Sequence, residues 1–320
     1  MTWFAAVARL RARREAGVLV TVATVRGHAP RDAGAKLVVG RTGTWGSIGG
    51  GNVEAVTIDR AREMIAASTA EPELMDFALN DKVTNRHGVQ CCGGTVTVLL
   101  EPLPVVRAVA IFGVGHVGME LARVLARQDL DLHLIDSRSD ILAEERLAVL
   151  ADAVAGVRVH HTPLLPEEVL DALPRGTHVL IMTHDHAEDA ALCDAALRTA
   201  HLGSIGLIGS AAKWVRFRKR LLAEEGHDEA AVARIKTPIG LADITGKDPA
   251  TIAVSVAADL LRTFEAEESE ADEHHRDVPM DAAIDENAHA SGEGGSRAAG
   301  TNTAHGSHGS HGSPHLKTVV

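Results

Sequence analysis

Apolar positions recur along this chain at two spacings, and the changes between them mark out its elements. Over residues 2–16, WFAAVARL and the arginines that follow place apolar side chains at helical intervals, and Gly17 stands where a helix stop is expected. VLVTVATV and AKLVV are β-branched and apolar, which predicts two strands. GTWGSIGGGNVEAVTIDRAREMIAAS reads as a glycine loop feeding a helix from about Asn52. EPELMDFAL is a further strand, and the loop NDKVTNRHGVQCCGG leads into the alternating strand TVTVLLEP.

Pro102-Leu103-Pro104 is expected to be a short rigid joint, because two prolines interrupt regular strand pairing. Beyond it the pattern changes. AVAIFGVGHVGMELARVLARQ is a buried strand, a glycine turn and a helix; LHLIDSR, VRVHH and HVLIMTHDH are further strands. AEDAALCDAALRTA reads as a helix and SIGLIGSAAKWVRFRKRLLAEE as another strand, turn and helix. Such alternation predicts a parallel sheet covered on both faces. The expected fold class is therefore α/β: an N-terminal α+β domain over residues 1–101, then a doubly wound parallel-sheet domain over residues 105–264. Residues 265–320 run through EAEESEADEHHRD to HGSHGSHGSPH and are too polar to offset the entropy of ordering, which predicts a disordered tail.

Charge sharpens this division. The tail holds 11 acidic and 3 basic residues, while the other 264 residues hold 32 acidic and 29 basic. A nearly neutral body carries no electrostatic footprint for nucleic acid. Aromatic residues are 2% of the chain and Tyr is absent, so base-stacking platforms are not expected either. No apolar run reaches the ~20 residues of a membrane helix, and the first residues lack signal-peptide order. The expected setting is cytoplasmic, with no membrane partner. Three cysteines, Cys91, Cys92 and Cys193, exclude a disulfide framework.

Three places carry candidate chemistry. Gly113-Val114-Gly115-His116-Val117-Gly118 matches G-x-G-x-x-G between a strand and a helix, and Asp136 ends the next strand at the spacing of a ribose-binding acid. This is the signature of a Rossmann fold. Its turn either holds a dinucleotide such as NAD(P) or is an inherited turn with another ligand or none. His184, Asp185 and His186 follow the fourth strand at the carboxyl edge of the sheet, open to metal ligation, cofactor contact or strand-end capping. A second glycine turn, GLIGSAAK, places Lys213 and Arg216 to meet an anion. The third place is Gln90-Cys91-Cys92-Gly93-Gly94, which lacks Cys-x-x-Cys redox spacing. Its cysteines are either small buried apolar groups or thiolates that contact a soft metal or carry sulfur.

Together these segments resemble the XdhC/CoxI family, accessory proteins for xanthine dehydrogenase and related molybdenum hydroxylases. The likeness runs through GHAPRDAGAKLVV, GSIGGGNVE, QCCGGTVTVLLEP, FGVGHVG, IDSR, MTHDHAED, SIGLIGSAAKW and TPIGLADITGKDPATIAVSVAADLL, over about residues 1–264. His28, and the pair Ala211-Ala212, depart from the family pattern. The resemblance implies a chaperone, not an enzyme, that binds the molybdenum cofactor (molybdopterin carrying molybdenum). Such a chaperone protects the cofactor while a cysteine desulfurase supplies sulfur, and inserts it into apo-xanthine dehydrogenase or a related hydroxylase. It implies Cys92 as the residue contacting molybdenum, with Cys91 beside it. Gly49, Gly50 and Gly51 would give close backbone approach to the pterin phosphate, with Glu54 and Arg31 as polar contacts to the pterin edge. A homodimer is expected on the same ground. The alternative is an NAD(P)-dependent oxidoreductase built on Gly113, Gly115, Gly118 and Asp136, with His184 or His186 as acid or base. The missing Tyr excludes Tyr-Lys dehydrogenase chemistry. A redox sensor would need paired cysteine spacing or a DNA-binding motif, and neither is present.

Overall fold

In the computed structural model, which describes residues 1–79, 93–162 and 166–276, the chain begins with α1 (Trp3–Arg13). The Thr2 hydroxyl caps this helix by accepting from the Ala5 amide at 3.3 Å. Its stop is Arg14, not Gly17. Arg14 adopts the left-handed conformation (φ 53°) and its amide donates to the Arg11 carbonyl. Gly17 instead opens β1 (Gly17–Arg26), which is followed by β2 (Lys36–Gly40), β3 (Thr44–Gly46), α2 (Gly51–Ala67), β4 (Glu73–Ala78) and β5 (Thr95–Leu103). The five strands form one antiparallel sheet in the order β3-β2-β1-β5-β4.

Strand periodicity decides which helix covers which face. Val18, Val20 and Val22 of β1 point to one face and pack with Ala61, Met64 and Ile65 of α2. Leu19 lies on the opposite face with Ala6 and Leu10 of α1, Val38 and Trp45. Each fully buried aliphatic side chain contributes roughly 1.5–3 kcal/mol, and both faces are needed to hold α1 and α2. The expected proline joint is also displaced. β5 pairs with β1 through Pro102 and Leu103, whereas β4 pairing stops at Leu100. Pro102 thus sits where one side of the strand is an edge, and its missing N–H is tolerated there.

The second sheet holds β6 (Ala108–Phe112), β7 (Asp131–Asp136), β8 (Gly156–His161), β9 (His178–Ile181), β10 (Ile205–Leu207) and β11 (Ile235–Lys236). All its ladders are parallel, and the order is β11-β10-β9-β6-β7-β8. Counted from β6 this is the Rossmann order 3-2-1-4-5-6, with the switch point between β6 and β9. The connecting helices are α3 (His116–Leu125), α4 (Glu144–Leu147), α5 (Pro166–Ala172), α6 (His186–Arg198), α7 (Ala211–Ala223) and α8 (Glu229–Val232).

The last helix, α9 (Pro249–Arg276), runs twelve residues past the position 264 where the sequence places the end of the folded body. Asp248 caps it by accepting from the Thr251 amide (3.0 Å) and hydroxyl (2.6 Å), with Pro249 at the first helical position. Its buried stripe of Ala253, Val256, Ala257, Leu260 and Phe264 packs with Leu121, Ala122 and Leu125 of α3. Arg107 fastens its later turns. The guanidinium lies 4.5 Å over the Phe264 ring, donates to the Phe264 carbonyl at 2.8 Å, and pairs with Glu267 and Glu268. The acidic run EAEE after Phe264 thus meets a cation at the start of β6. The remainder of the expected tail, from residue 277, lies outside the described residues.

Candidate functional site

The glycine loop of the first sheet is built around one carboxylate. Glu54, in the first turn of α2, accepts from the Ser47 hydroxyl at 2.6 Å and from the Ile48 and Gly50 amides at 3.0 and 3.1 Å. Burial works against its charge, but these bonds outweigh it and hold the carboxyl below its ordinary value. Glu54 therefore shapes the loop from within. The Ile48 and Gly50 amides, which could otherwise face an anion, are thus taken by a carboxylate.

Other segments close on this loop. A Cβ at Gly49 would lie 2.8 Å from Pro30 Cβ and 3.4 Å from Arg31 Cγ. A Cβ at Gly94 would lie 2.3 Å from the His28 carbonyl oxygen and 2.7 Å from that of Arg26. Only glycine permits those approaches. Gly50 differs: it is left-handed (φ 73°) and its Cβ position faces open space, which turns bare backbone outward. Residues 26–31, 47–52 and 93–94, far apart in sequence, thus meet in one place. Arg31, Gly49, Gly50, Gly51, Glu54, Gly93 and Gly94 all belong to it. Cys91 and Cys92 lie outside the described residues; the described chain resumes at Gly93, whose amide donates to the Leu79 carbonyl at 2.6 Å while Leu79 donates to Gly94 at 2.8 Å. The exposed side chains of Arg26, His28 and Arg31 make no hydrogen bond or ion pair to any described residue. Three basic side chains therefore border bare glycine backbone.

The second group of expected residues gathers at the carboxyl edge of the parallel sheet. Gly113 (φ 98°) turns the chain so tightly that a Cβ there would lie 2.4 Å from the Met182 carbonyl oxygen, and one at Gly118 would lie 2.1 Å from that of Gly113. The turn and the end of β9 are thus locked together at the switch point. Asp136 is where a ribose-binding acid belongs, but it is 3% exposed and fully engaged. Its Oδ2 accepts from the Val114 amide (2.8 Å) and Arg138 Nη2 (3.0 Å), and its Oδ1 accepts from the Arg138 amide (3.0 Å) and Nε (2.9 Å). Burial opposes its charge, yet these donors prevail and hold it below the usual carboxylate range. Arg138, which the sequence reading passed over within IDSR, also reaches the mouth of the turn, with Nη2 4.0 Å from a Cβ position on Gly115.

His116, His184 and His186 are exposed at this edge. Asp185 caps α6, accepting from the Ala187 amide at 2.6 Å, which is the capping role among its alternatives. His184 Nδ1 stands 3.9 Å from Glu188, which also accepts from the Ser137 hydroxyl at 3.3 Å. Burial lifts the Glu188 carboxyl above its ordinary value against the pull of His184 and Ser137. Among the described residues no group of three or more His, Cys, Asp or Glu side chains is placed to hold a metal ion.

Lys213 does not meet an external anion. Its ammonium is buried, 2.5 Å from Asp189 and 2.9 Å from the Ile208 carbonyl, while Asp189 also accepts from the Thr183 amide and hydroxyl. This network ties the turn after β10 to the turn after β9. Cys193 is fully buried, and burial pushes its thiol up to about 12, which leaves it inert. No described helix is long and apolar enough to cross a membrane.

Comparison with known proteins matches both halves of the chain. A family model described as the XdhC Rossmann domain matches residues 109–260, and one described as the XdhC and CoxI family matches residues 10–78. The chain is 27% identical over 266 residues to a protein of Escherichia coli (strain K12) named uncharacterized protein YqeB. That match takes in 82% of this chain and 46% of the relative, so the chain spans about half the length of the curated relative it matches. A solved structure titled a xanthine dehydrogenase from Bacillus halodurans, 18% identical, aligns over 83% of this chain and 96% of its own at a TM-score of 0.42, too slight a likeness to bear on fold or function. The two family models follow the order of the two sheets and together cover more than two thirds of the chain, which therefore belongs to the XdhC and CoxI family.

Proposed function

We propose that this protein serves xanthine dehydrogenase or a related molybdenum hydroxylase as an accessory protein whose cargo is the molybdenum cofactor. It binds the cofactor, shields it while a cysteine desulfurase supplies sulfur, and inserts it into the apo-enzyme, turning nothing over itself. It does so in the cytoplasm and as a homodimer.

One observation carries the reading: the convergence of residues 26–31, 47–52 and 93–94 on bare glycine backbone bordered by the basic side chains Arg26, His28 and Arg31, which pair with no described residue. A pterin dithiolene with a phosphate arm needs a flat, close backbone approach and a cationic neighbour. Since Glu54 takes the Ile48 and Gly50 amides, the phosphate falls to Arg26, His28 and Arg31 and the ring to Gly49–Gly51. Cys92, which precedes Gly93 in the sequence, supplies the thiolate to molybdenum; a soft sulfur donor suits such cargo. The oxidoreductase alternative has less support, because the acid that would hold a ribose, Asp136, is committed to Arg138 and Val114.

The test is the molybdenum and pterin content of protein purified from cells that make the cofactor, beside Cys92→Ala. Near-stoichiometric pterin and molybdenum, with molybdenum lost in the variant, is the expected result. Pterin absent from both proteins overturns the reading.

A further inference from the structure

Asn52 is the second residue of α2, directly after the glycine triplet, and it is 6% exposed. Its Oδ1 is wholly removed from water and has no hydrogen-bond partner among the described residues. Buried acceptors of this kind are rare, because leaving one unpaired forfeits the free energy of its lost hydration. A helical Cβ tilts toward the helix N-terminus, so the Asn52 carboxamide leans back toward Gly49–Gly51. Within the loop, Ser47, Ile48 and Gly50 donate to Glu54, and Gly49 donates to Ser47 at 3.1 Å. Oδ1 is thus an acceptor held out of water with no donor among the described residues. An ionised phosphate has no proton to give it. A nitrogen heterocycle with ring N–H or amino groups does.

We propose that Asn52 recognises the heterocycle of the bound ligand, its Oδ1 accepting a hydrogen bond from a ring N–H or amino group of the pterin. This rests on the function proposed above and adds a residue that sets specificity. Oδ1 itself distinguishes an N–H-bearing heterocycle from an anion, because an acceptor is matched only by a proton donor. In the unliganded protein Asn52 is a cost to stability, as binding groups held ready for a ligand commonly are.

Binding of two probes, molybdopterin and 6-hydroxymethylpterin (which carries neither dithiolene nor phosphate), is measured by pterin fluorescence for the wild type, Asn52→Ala and Asn52→Asp. Melting temperatures are recorded without ligand. Asn52→Ala is expected to weaken both probes by about 10- to 100-fold, with a melting temperature equal to or above that of the wild type. Asn52→Asp, which keeps an acceptor, is expected to bind more tightly than Asn52→Ala. If Asn52→Ala also melts lower, the Asp variant decides: affinity regained supports the proposal, and affinity still lost overturns it. Equal affinity of the wild type and Asn52→Ala overturns the proposal alone, as does wild-type binding of molybdopterin without any binding of the simple pterin. A wild type that binds neither probe overturns the proposed function and this inference with it.

Discussion

Acidification should weaken this fold at His133 of β7. The side chain is 4% exposed, with Nδ1 3.0 Å from Nε2 of His160 on β8 and its own Nε2 buried without a partner. Burial lowers its pKa from 6.5 to about 4, and His160, Arg158 and Arg14 push the same way while Asp131 opposes them. Between pH 6.5 and about 4 the unfolded chain therefore holds a proton here that the native protein refuses. Stability from this residue is fully present above pH 6.5 and is lost as the pH falls through that window. A shift of that size corresponds to about 3 kcal/mol. His133→Phe keeps a ring of similar size and removes the titration. Urea unfolding followed by far-ultraviolet circular dichroism at steps from pH 7 to pH 4 should show the wild type losing about 3 kcal/mol more than the variant over the range. His116→Gln, at an exposed position of the same domain, should track the wild type. Parallel curves for the wild type and His133→Phe would refute the reasoning.

Three further outcomes follow from the packing. Lys213→Met leaves the Asp189 carboxylate buried and unpaired, and should cost roughly 3–5 kcal/mol in chemical denaturation; the double variant with Asp189→Leu should recover part of that loss. Gly118→Ala places a methyl 2.1 Å from the Gly113 carbonyl oxygen, so the second domain should lose cooperative unfolding by calorimetry or express only as aggregate. Arg107→Ala removes the ring contact, the Phe264 carbonyl bond and two largely exposed ion pairs, together worth about 1 kcal/mol. Its signature should be faster amide exchange over residues 261–276 with little change elsewhere.

Much of the architecture is legible in the chain because it rests on local rules. The period-2 runs of β1 and β5, the parallel-sheet strands and the G-x-G-x-x-G turn all read correctly, since burial on one or both faces of a sheet dictates the residue type at each position. The glycine triplet before α2 reads correctly for the same kind of reason. What the sequence missed depends on partners distant in the chain. Arg14 ends α1 in place of Gly17, and its guanidinium then pairs with Asp131 of the second sheet. The acidic stretch after Phe264 looks unable to fold by composition, yet Arg107, some 160 residues earlier, holds it in α9. Asp136 and Lys213 were each expected to face a ligand, and each is consumed by the protein's own amides and charges, while Glu54 commits one carboxylate oxygen to its own loop. A motif fixes which residue types stand near a site, because backbone geometry there admits few others. Which of those side chains remains free to bind is decided only when the whole fold has satisfied its buried donors and acceptors. By that rule a buried acceptor left unmatched at the glycine loop is Asn52 Oδ1, which no spacing singles out.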